Sequence, residues 1–365
     1  MRYAELGRMS VVAIALSTGP TLASGQAELD KLQRQIDSVV AVALDEGIAP
    51  SYAVGVRIGD EVVTARGYGL ADLENAVPAS GETVYRIGSL TKQFTAVAIM
   101  QLVEQGRLTL DDDLAKLVPS CSTEGHTVTI HHLLTHTSGF GSYTQQPEFE
   151  WKSRLDLTNG EVIDLINRER MAFVPGEDQR YSNSGYYLLG MVVEAASGQS
   201  YGEYVEEHIF RPLQMAGSSY CHERPIIKHR AAGYSLDGSA VVNDEPISMN
   251  PPGAAGSLCS TVLDLLRWQQ ALTDNELITA ASFDRMMTPA ILNDGSVTPF
   301  GYGLVIIDFQ GHRKIAHRGG ISGFSSALAY YPEDRLTIVV LANSDEVDPT
   351  SMEGVIARIV LGIAQ

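Results

Sequence analysis

Cysteine, positive charge and long apolar runs are all scarce in this chain, and each scarcity closes off a class of function. The three cysteines, Cys121, Cys221 and Cys259, fit no zinc-ligand spacing, and any disulfide scheme leaves at least one of them unpaired. Twenty-six Lys and Arg stand against 44 Asp and Glu, a formal net charge of −18, which argues against nucleic acid and anionic membrane surfaces as partners. No stretch after the N-terminus is long and apolar enough to span a bilayer, and Leu22-Ala23-Ser24-Gly25 lacks the cysteine that lipid attachment needs, so no membrane anchor is expected. Internal repeats and low-complexity linkers are missing too. What the chain does have is 365 residues with 44% hydrophobic content, enough to bury a large core.

The N-terminus carries Arg2 and Arg8, a short apolar core from Met9 to Leu16, and small residues at Thr21-Leu22-Ala23. That pattern predicts a secretory leader over residues 1–23 with cleavage near Ala23, and hence a secreted or periplasmic protein.

Three short segments carry chemistry. In the first, Gly88-Ser89 precedes a run from Leu90 to Gln105 whose apolar residues Phe94, Val97, Ala98, Ile99, Leu102 and Val103 recur at helical spacing. Ser89 therefore falls at a helix start, among free backbone N–H groups at the positive end of the dipole. Lys92 follows one turn later on the same face, where a partly desolvated amine can hydrogen-bond the serine hydroxyl and activate it as a nucleophile. Of the six lysines, only Lys92 has a serine three residues before it.

The second segment, Tyr181-Ser182-Asn183, follows the turn signal Pro175-Gly176-Glu177 and opens an apolar helix from about Ser184 to Ala196. A tyrosine beside a cationic lysine has its phenolate favoured, so Tyr181 is a candidate proton carrier between Ser89 and a leaving group. Asn183 either orients a substrate amide or caps the helix. In the third segment, a strand-like run from Arg313 to Gly320 contains His317-Arg318-Gly319-Gly320. The glycine pair leaves the strand edge bare, so a substrate backbone can approach and an N–H can point at a developing oxyanion; the natural donors are the N–H groups of Ser89 and Gly320. Arg318 either binds a substrate carboxylate in bidentate fashion or points into solvent and pairs with an acid.

Order, spacing and flanking text resemble the serine β-lactamase and D-alanyl-D-alanine carboxypeptidase superfamily on its class C side, D-aminopeptidases and β-lactamase-fold esterases included. The flanking matches are Tyr85-Arg86-Ile87-Gly88-Ser89, His132 to Gly139, Tyr181 to Gly190, Ser260-Thr261 with Asp264-Leu265, and His317 to Phe324. The resemblance implies an acyl-enzyme on Ser89, proton transfer by Lys92 and Tyr181, oxyanion donors at Ser89 and Gly320, substrate contacts from Asn183, Arg318 and Gly319, and His317 keeping Tyr181 polarised. It also implies no cofactor. Most class C β-lactamases begin the third motif with lysine. His317 stands there instead, which resembles D-stereospecific peptidases, DD-carboxypeptidases and β-lactamase-fold esterases and weighs against efficient penicillin hydrolysis. No Ser-Asp-Asn motif is present, so class A deacylation is not expected.

His131, His132 and His136 offer a metal alternative, with two imidazoles four residues apart. No glutamate lies between them and Thr137-Ser138-Gly139 breaks the helix at once, so no metal is expected and the segment is read as a turn shaping the site wall.

The pattern as a whole predicts an α+β fold. A helix from about Glu28 to Glu46 leads into strands at Tyr52–Ile58 and Val62–Tyr68, joined by a hairpin at Gly59-Asp60. Strands return at Gly303–Phe309, Lys314–His317, Ala327–Tyr331 and Leu336–Ala342, before a closing helix from about Thr350 to Ile363. Residues 26–84 and 261–365 would build one antiparallel sheet lobe covered by helices, with residues 85–260 inserted as a mostly helical lobe and the site in the cleft between them. The expected activity is serine hydrolysis of an amide or peptide bond in a small molecule or short peptide, with a D-residue or small acyl group. Short-chain ester hydrolysis, β-lactam hydrolysis and a penicillin-binding sensor that never turns over are the alternatives.

Overall fold

The computed structural model describes residues 20–363. Residues 1–19, which hold most of the expected leader, lie outside the described residues.

Seven antiparallel strands form the main sheet, drawn from both ends of the chain. The N-terminal part gives β1 (Ser51–Ile58), β2 (Glu61–Asp72) and the short β3 (Val77–Pro78). The C-terminal part gives β4 (Val305–Phe309), β5 (His312–Ile321), β6 (Phe324–Tyr331) and β7 (Leu336–Ala342). Their order is β3-β2-β1-β7-β6-β5-β4, so the two halves meet where β1 pairs with β7 from Tyr52 opposite Ala342 to Ile58 opposite Leu336. Both central strands are mostly apolar, Ser51, Arg57 and Thr337 apart, because both of their faces are covered.

The two-residue period sorts those runs. Tyr52, Val54 and Val56 on β1, with Ile338 and Val340 on β7, face a cluster shared with Ile36 and Val40 of helix α1 (Pro20–Asp45) and with Ile356 of the closing helix. Ala53, Val339 and Leu341 face the larger core on the opposite side. There Gly55 lets helix α4 (Val262–Thr273) approach so closely that a Cβ at Gly55 would stand 3.1 Å from Leu266 Cδ1. The closing helix α5 (Pro349–Leu361) is tied to the sheet by a buried charge pair, Lys314 of β5 with Glu353, to which the Tyr331 hydroxyl also donates at 2.7 Å.

Between the two halves lie α2 (Thr91–Glu104), a central helix buried along nearly its whole length, and α3 (Asn183–Ser197). This middle region is not purely helical. Tyr85–Arg86, Leu258–Ser260 and Ser219–Tyr220 form a three-stranded sheet with Leu258–Ser260 at its centre, and Tyr234–Asp237 pairs with Ala240–Asn243. Strands of two to four residues are too short to show a period, so they were not legible in the sequence. The other boundaries move by a few residues: α1 starts at Pro20 rather than Glu28, and β5 and β6 extend to meet at a two-residue turn, Ser322-Gly323. Among the described residues no helix is long and apolar enough to cross a membrane.

Candidate active site

Backbone geometry sets the nucleophile. The Tyr85–Arg86 strand is held against Leu258–Ser260, and the Ile87 N–H donates to Leu258 O at 3.0 Å. Gly88 then takes φ +49°, and Gly88–Leu90 forms one 3₁₀ turn that runs straight into α2. A Cβ at Gly88 would stand 3.0 Å from both N and O of Gly320, so conformation and space alike demand glycine there. The turn leaves Ser89 partly exposed while its neighbours Gly88 and Leu90 are buried.

Strand β5 crosses this turn. Because Ile321 and Phe324 close a two-residue hairpin, they form a hydrogen-bonded pair, and alternation makes Gly319–Ser326 and His317–Leu328 bonded pairs as well. The N–H and C=O of Gly320 and Arg318 therefore face the other edge. There β4 pairs only as far as Ala316 and leaves the edge open. The Gly320 N–H is thus directed toward the Ser89 turn, and the Ser89 N–H itself makes no backbone hydrogen bond outside its own turn among the described residues. Two free N–H groups near Ser89 are what an oxyanion requires.

The two glycines differ. A Cβ on Gly319 would fall 2.1 Å from Ile87 O and 2.4 Å from Ser326 Oγ, so this residue seats the strand on the turn and is walled off from the cleft. A Cβ on Gly320 would meet nothing within 4 Å. Gly320 lines the cleft, whereas Gly319, where a substrate contact was expected, does not.

Lys92 is fully buried, and its Nζ has three oxygen neighbours: Ser89 Oγ at 3.0 Å, Asn183 Oδ1 at 2.8 Å and Ala255 O at 2.8 Å. Nζ also lies 4.9 Å from the centre of the Tyr181 ring and 5.6 Å from that of Tyr186. Burial holds the amine well below the ordinary lysine range. A neutral amine has two N–H bonds and one lone pair. Two acceptors that cannot donate, the amide oxygen of Asn183 and the carbonyl of Ala255, take both N–H bonds and aim the lone pair at the Ser89 hydroxyl.

This gives Asn183 a task beyond the two expected and removes the cap reading. Its Oδ1 belongs to Lys92 and its Nδ2 donates to Thr144 Oγ1 at 2.9 Å, while the helix cap is Ser182, whose Oγ accepts the Gly185 N–H. One Nδ2 hydrogen remains for a substrate. Tyr181 also departs from expectation. Burial pushes its phenol up to about 12, only partly offset by the Ser89 hydroxyl and the Arg318 charge, so it rests as a neutral phenol and not as the phenolate a cationic lysine would favour.

His317 is buried and pushed down to about 3 by burial and by Lys92, so its ring is neutral. Its Nδ1 lies 2.6 Å from Arg318 O; a carbonyl only accepts, so the proton is on Nδ1 and Nε2 carries the lone pair. That Nε2 is buried without a partner. The ring centres of His317 and Tyr181 are 6.1 Å apart and no hydrogen bond joins them, so His317 does not polarise Tyr181 directly in this state. Arg318 is exposed on the same strand face as Gly320, and its charge reaches Tyr181. Among the described residues it makes no ion pair; those of its strand belong to His312 and Lys314.

The histidine segment underlies the site. His132 Nδ1 accepts the Thr129 N–H to complete a capping box, and His136, at φ +61°, accepts the Ser182 N–H on Nδ1. Its ring lies 4.5 Å from that of Tyr181 and 5.1 Å from that of Tyr186, forming a floor beneath the phenol. The Ser260 to Leu265 text is structural too: Thr261 caps α4, and Asp264 accepts from Gly217 N–H and Ser218 Oγ.

A cleft of about 320 Å³ opens beside Ser89, Asn183 and Gly320. Tyr143, Phe149, Ile247, Pro252 and Ile321 supply its apolar wall, Thr144, Ser153 and Ser322 its small hydroxyls, and no charged side chain lines it. The side chains that face inward carry no sequence signal. The Ala255 carbonyl carries none either.

A family model described as Beta-lactamase matches residues 36–361. The chain belongs to the beta-lactamase family. Penicillin-binding protein 4* of Bacillus subtilis is 31% identical over 303 residues, covering 79% of this chain and 67% of the relative, so the chain spans about two thirds of that relative's length. An octameric penicillin-binding protein homologue from Pyrococcus abyssi superposes with a TM-score of 0.79 at 32% identity, covering 92% of this chain and 77% of the other. A D-amino acid amidase from Ochrobactrum anthropi, solved with L-phenylalanine amide, gives a TM-score of 0.80 at 25% identity over 91% of this chain and 99% of its own. Members of this family are mostly serine hydrolases built on the β-lactamase fold.

Proposed function

We propose that the protein is a serine hydrolase that cleaves an amide or peptide bond of a small substrate through an acyl-enzyme on Ser89. The observation that carries this reading is the trio of oxygens around Lys92, two of which take N–H bonds from Nζ while the third is the Ser89 hydroxyl. Ser89 Oγ attacks the carbonyl carbon as its proton passes to Lys92 Nζ. Negative charge on the carbonyl oxygen is met by the N–H groups of Ser89 and Gly320. The proton then reaches the leaving nitrogen through the Tyr181 hydroxyl, which gives its own proton and is resupplied from Lys92. Once the amine has left, the same pair takes a proton from water for attack on the ester.

The cleft supports an uncharged, apolar acyl group, since its wall is aromatic and aliphatic and without charge. The likeness to a D-amino acid amidase supports an amide with a D-residue. A short-chain ester fits the same neutral cleft and is the second reading. The neutral His317 at the head of the third motif supports neither efficient penicillin hydrolysis nor a strong anion site. Steady-state kinetics with D-phenylalanine amide, D-Ala-p-nitroanilide, p-nitrophenyl acetate and nitrocefin test the assignment. The amides are expected to give the highest kcat/KM relative to their uncatalysed rates. Turnover of nitrocefin alone would overturn it.

A further inference from the structure

Two thiols that play no part in this chemistry lie together below the cleft. Cys221 and Cys259 are buried, free, and packed with Val84 and Met249 in a small cluster of their own, whereas Cys121 belongs to the main core. Strand pairing accounts for their approach. Ser219 stands opposite Cys259 and Tyr220 opposite Leu258, and the Cys221 N–H donates to Ser257 O at 2.8 Å. One further step of the antiparallel register puts Cys221 diagonal to Cys259, and the two-residue period turns both side chains to one face. The pair also interacts: contact with Cys259 pulls the Cys221 thiol down, and the same contact pushes Cys259 up.

The bridge would matter to the site because of what hangs between the two cysteines. The segment 222–258 carries Ile247, Pro252, Ala255 and Gly256 of the cleft, and Ala255 O is one of the two acceptors that orient Lys92. We propose that Cys221 and Cys259 form a disulfide in an oxidising compartment, such as the leader pattern predicts, and that this bond fastens the active-site loop at its base.

The reagent is a small-molecule disulfide of the glutathione class. The Cys221 thiolate attacks one of its sulfurs, releasing one thiol and forming a mixed disulfide. Cys259 then loses its proton to solvent and attacks the Cys221 sulfur, releasing the second thiol. Two cysteine thiols are oxidised, one reagent disulfide is reduced to two thiols, and one S–S bond replaces another. Both sulfurs are buried, so exchange occurs during folding or when the loop opens. A diagonal pair, about 7–8 Å apart, stands just beyond the span a disulfide bridges, so closure requires the two strands to move together.

The test uses the full chain carrying Cys121→Ser, refolded in a glutathione redox buffer. After denaturation without reductant, no thiol should titrate, the mass should be lower by two hydrogens, and a non-reducing digest should yield one linked peptide pair containing Cys221 and Cys259. The oxidised protein should melt several degrees above the dithiothreitol-reduced protein, and Cys259→Ser should abolish that difference. Two titratable thiols after oxidation, a bond found only between molecules, or identical melting of the two forms would overturn the proposal.

Discussion

Asn183→Asp isolates the electrostatic core of the proposed mechanism, because it preserves shape and changes one charge. In the wild type, a neutral amide oxygen sits 2.8 Å from Lys92 Nζ and burial pushes the amine well below the ordinary lysine range. A carboxylate at that distance would favour the ammonium form by about 6 kcal/mol at an effective dielectric of ~20, before the cost of burying the carboxylate is subtracted. Opposite charges this close move a titration by roughly one to three pH units in practice. The sign follows from the role. Lys92 acts as a base only when unprotonated, so activity is present above its depressed pKa and lost as pH falls through it. Asn183→Asp raises that pKa and moves the acid limb of kcat/KM upward by about one to three pH units, so activity is lost over the pH range between the old and the new midpoint. Activity should recover as pH rises, and KM should change less than kcat. A profile of unchanged midpoint, or an equal loss at every pH, would refute the claim that Lys92 works as a neutral base oriented by Asn183.

Further substitutions probe other parts of the account. Gly319→Ala places a Cβ against Ile87 O and Ser326 Oγ and should lower kcat on the order of 100-fold by lifting the strand from the nucleophile turn, while Gly320→Ala, which points into open space, should cost far less; equal effects in kinetic assays would contradict this geometry. Tyr181→Phe should reduce kcat by about 100- to 10,000-fold with little change in melting temperature, and should remove any limb of the pH profile associated with a phenol near 12. Glu353→Ala strands the buried Lys314 and Tyr331 hydroxyl and should cost about 3–5 kcal/mol in denaturant unfolding, whereas Lys314→Met with Glu353→Leu should recover most of it; a single variant as stable as the wild type would show that the pair is not effectively buried.

Much of this site was legible before any coordinates, for reasons that differ between residues. Ser89 and Lys92 announce themselves because one helical turn fixes their relation locally, and β7 was placed at Leu336–Ala342 because a strand covered on both faces reads as a mostly apolar run. The Gly59-Asp60 hairpin was legible because Gly59 must take a positive φ. Roles that depend on long-range contacts were not. Ala255 acts through its carbonyl 163 positions from Lys92, and a backbone acceptor leaves no trace in residue identity. Asn183 looked like a substrate ligand or a cap until its oxygen was found on Lys92. The resting charge state of Tyr181 depends on burial of the whole pocket, which outweighs the single neighbouring amine that sequence reasoning considered. His317 was placed correctly on its strand, but which nitrogen holds its proton is decided by the Arg318 carbonyl beside it.

The central claim is that Ser89 is acylated. Intact-protein mass spectrometry after brief exposure to a fluorophosphonate, run in parallel on wild type and Ser89→Ala, tests it most directly. The account predicts one covalent adduct on the wild type, mapped to Ser89, with none on the variant and loss of amide and ester turnover in step with labelling. Adducts on both proteins, or turnover that survives in Ser89→Ala, would contradict it.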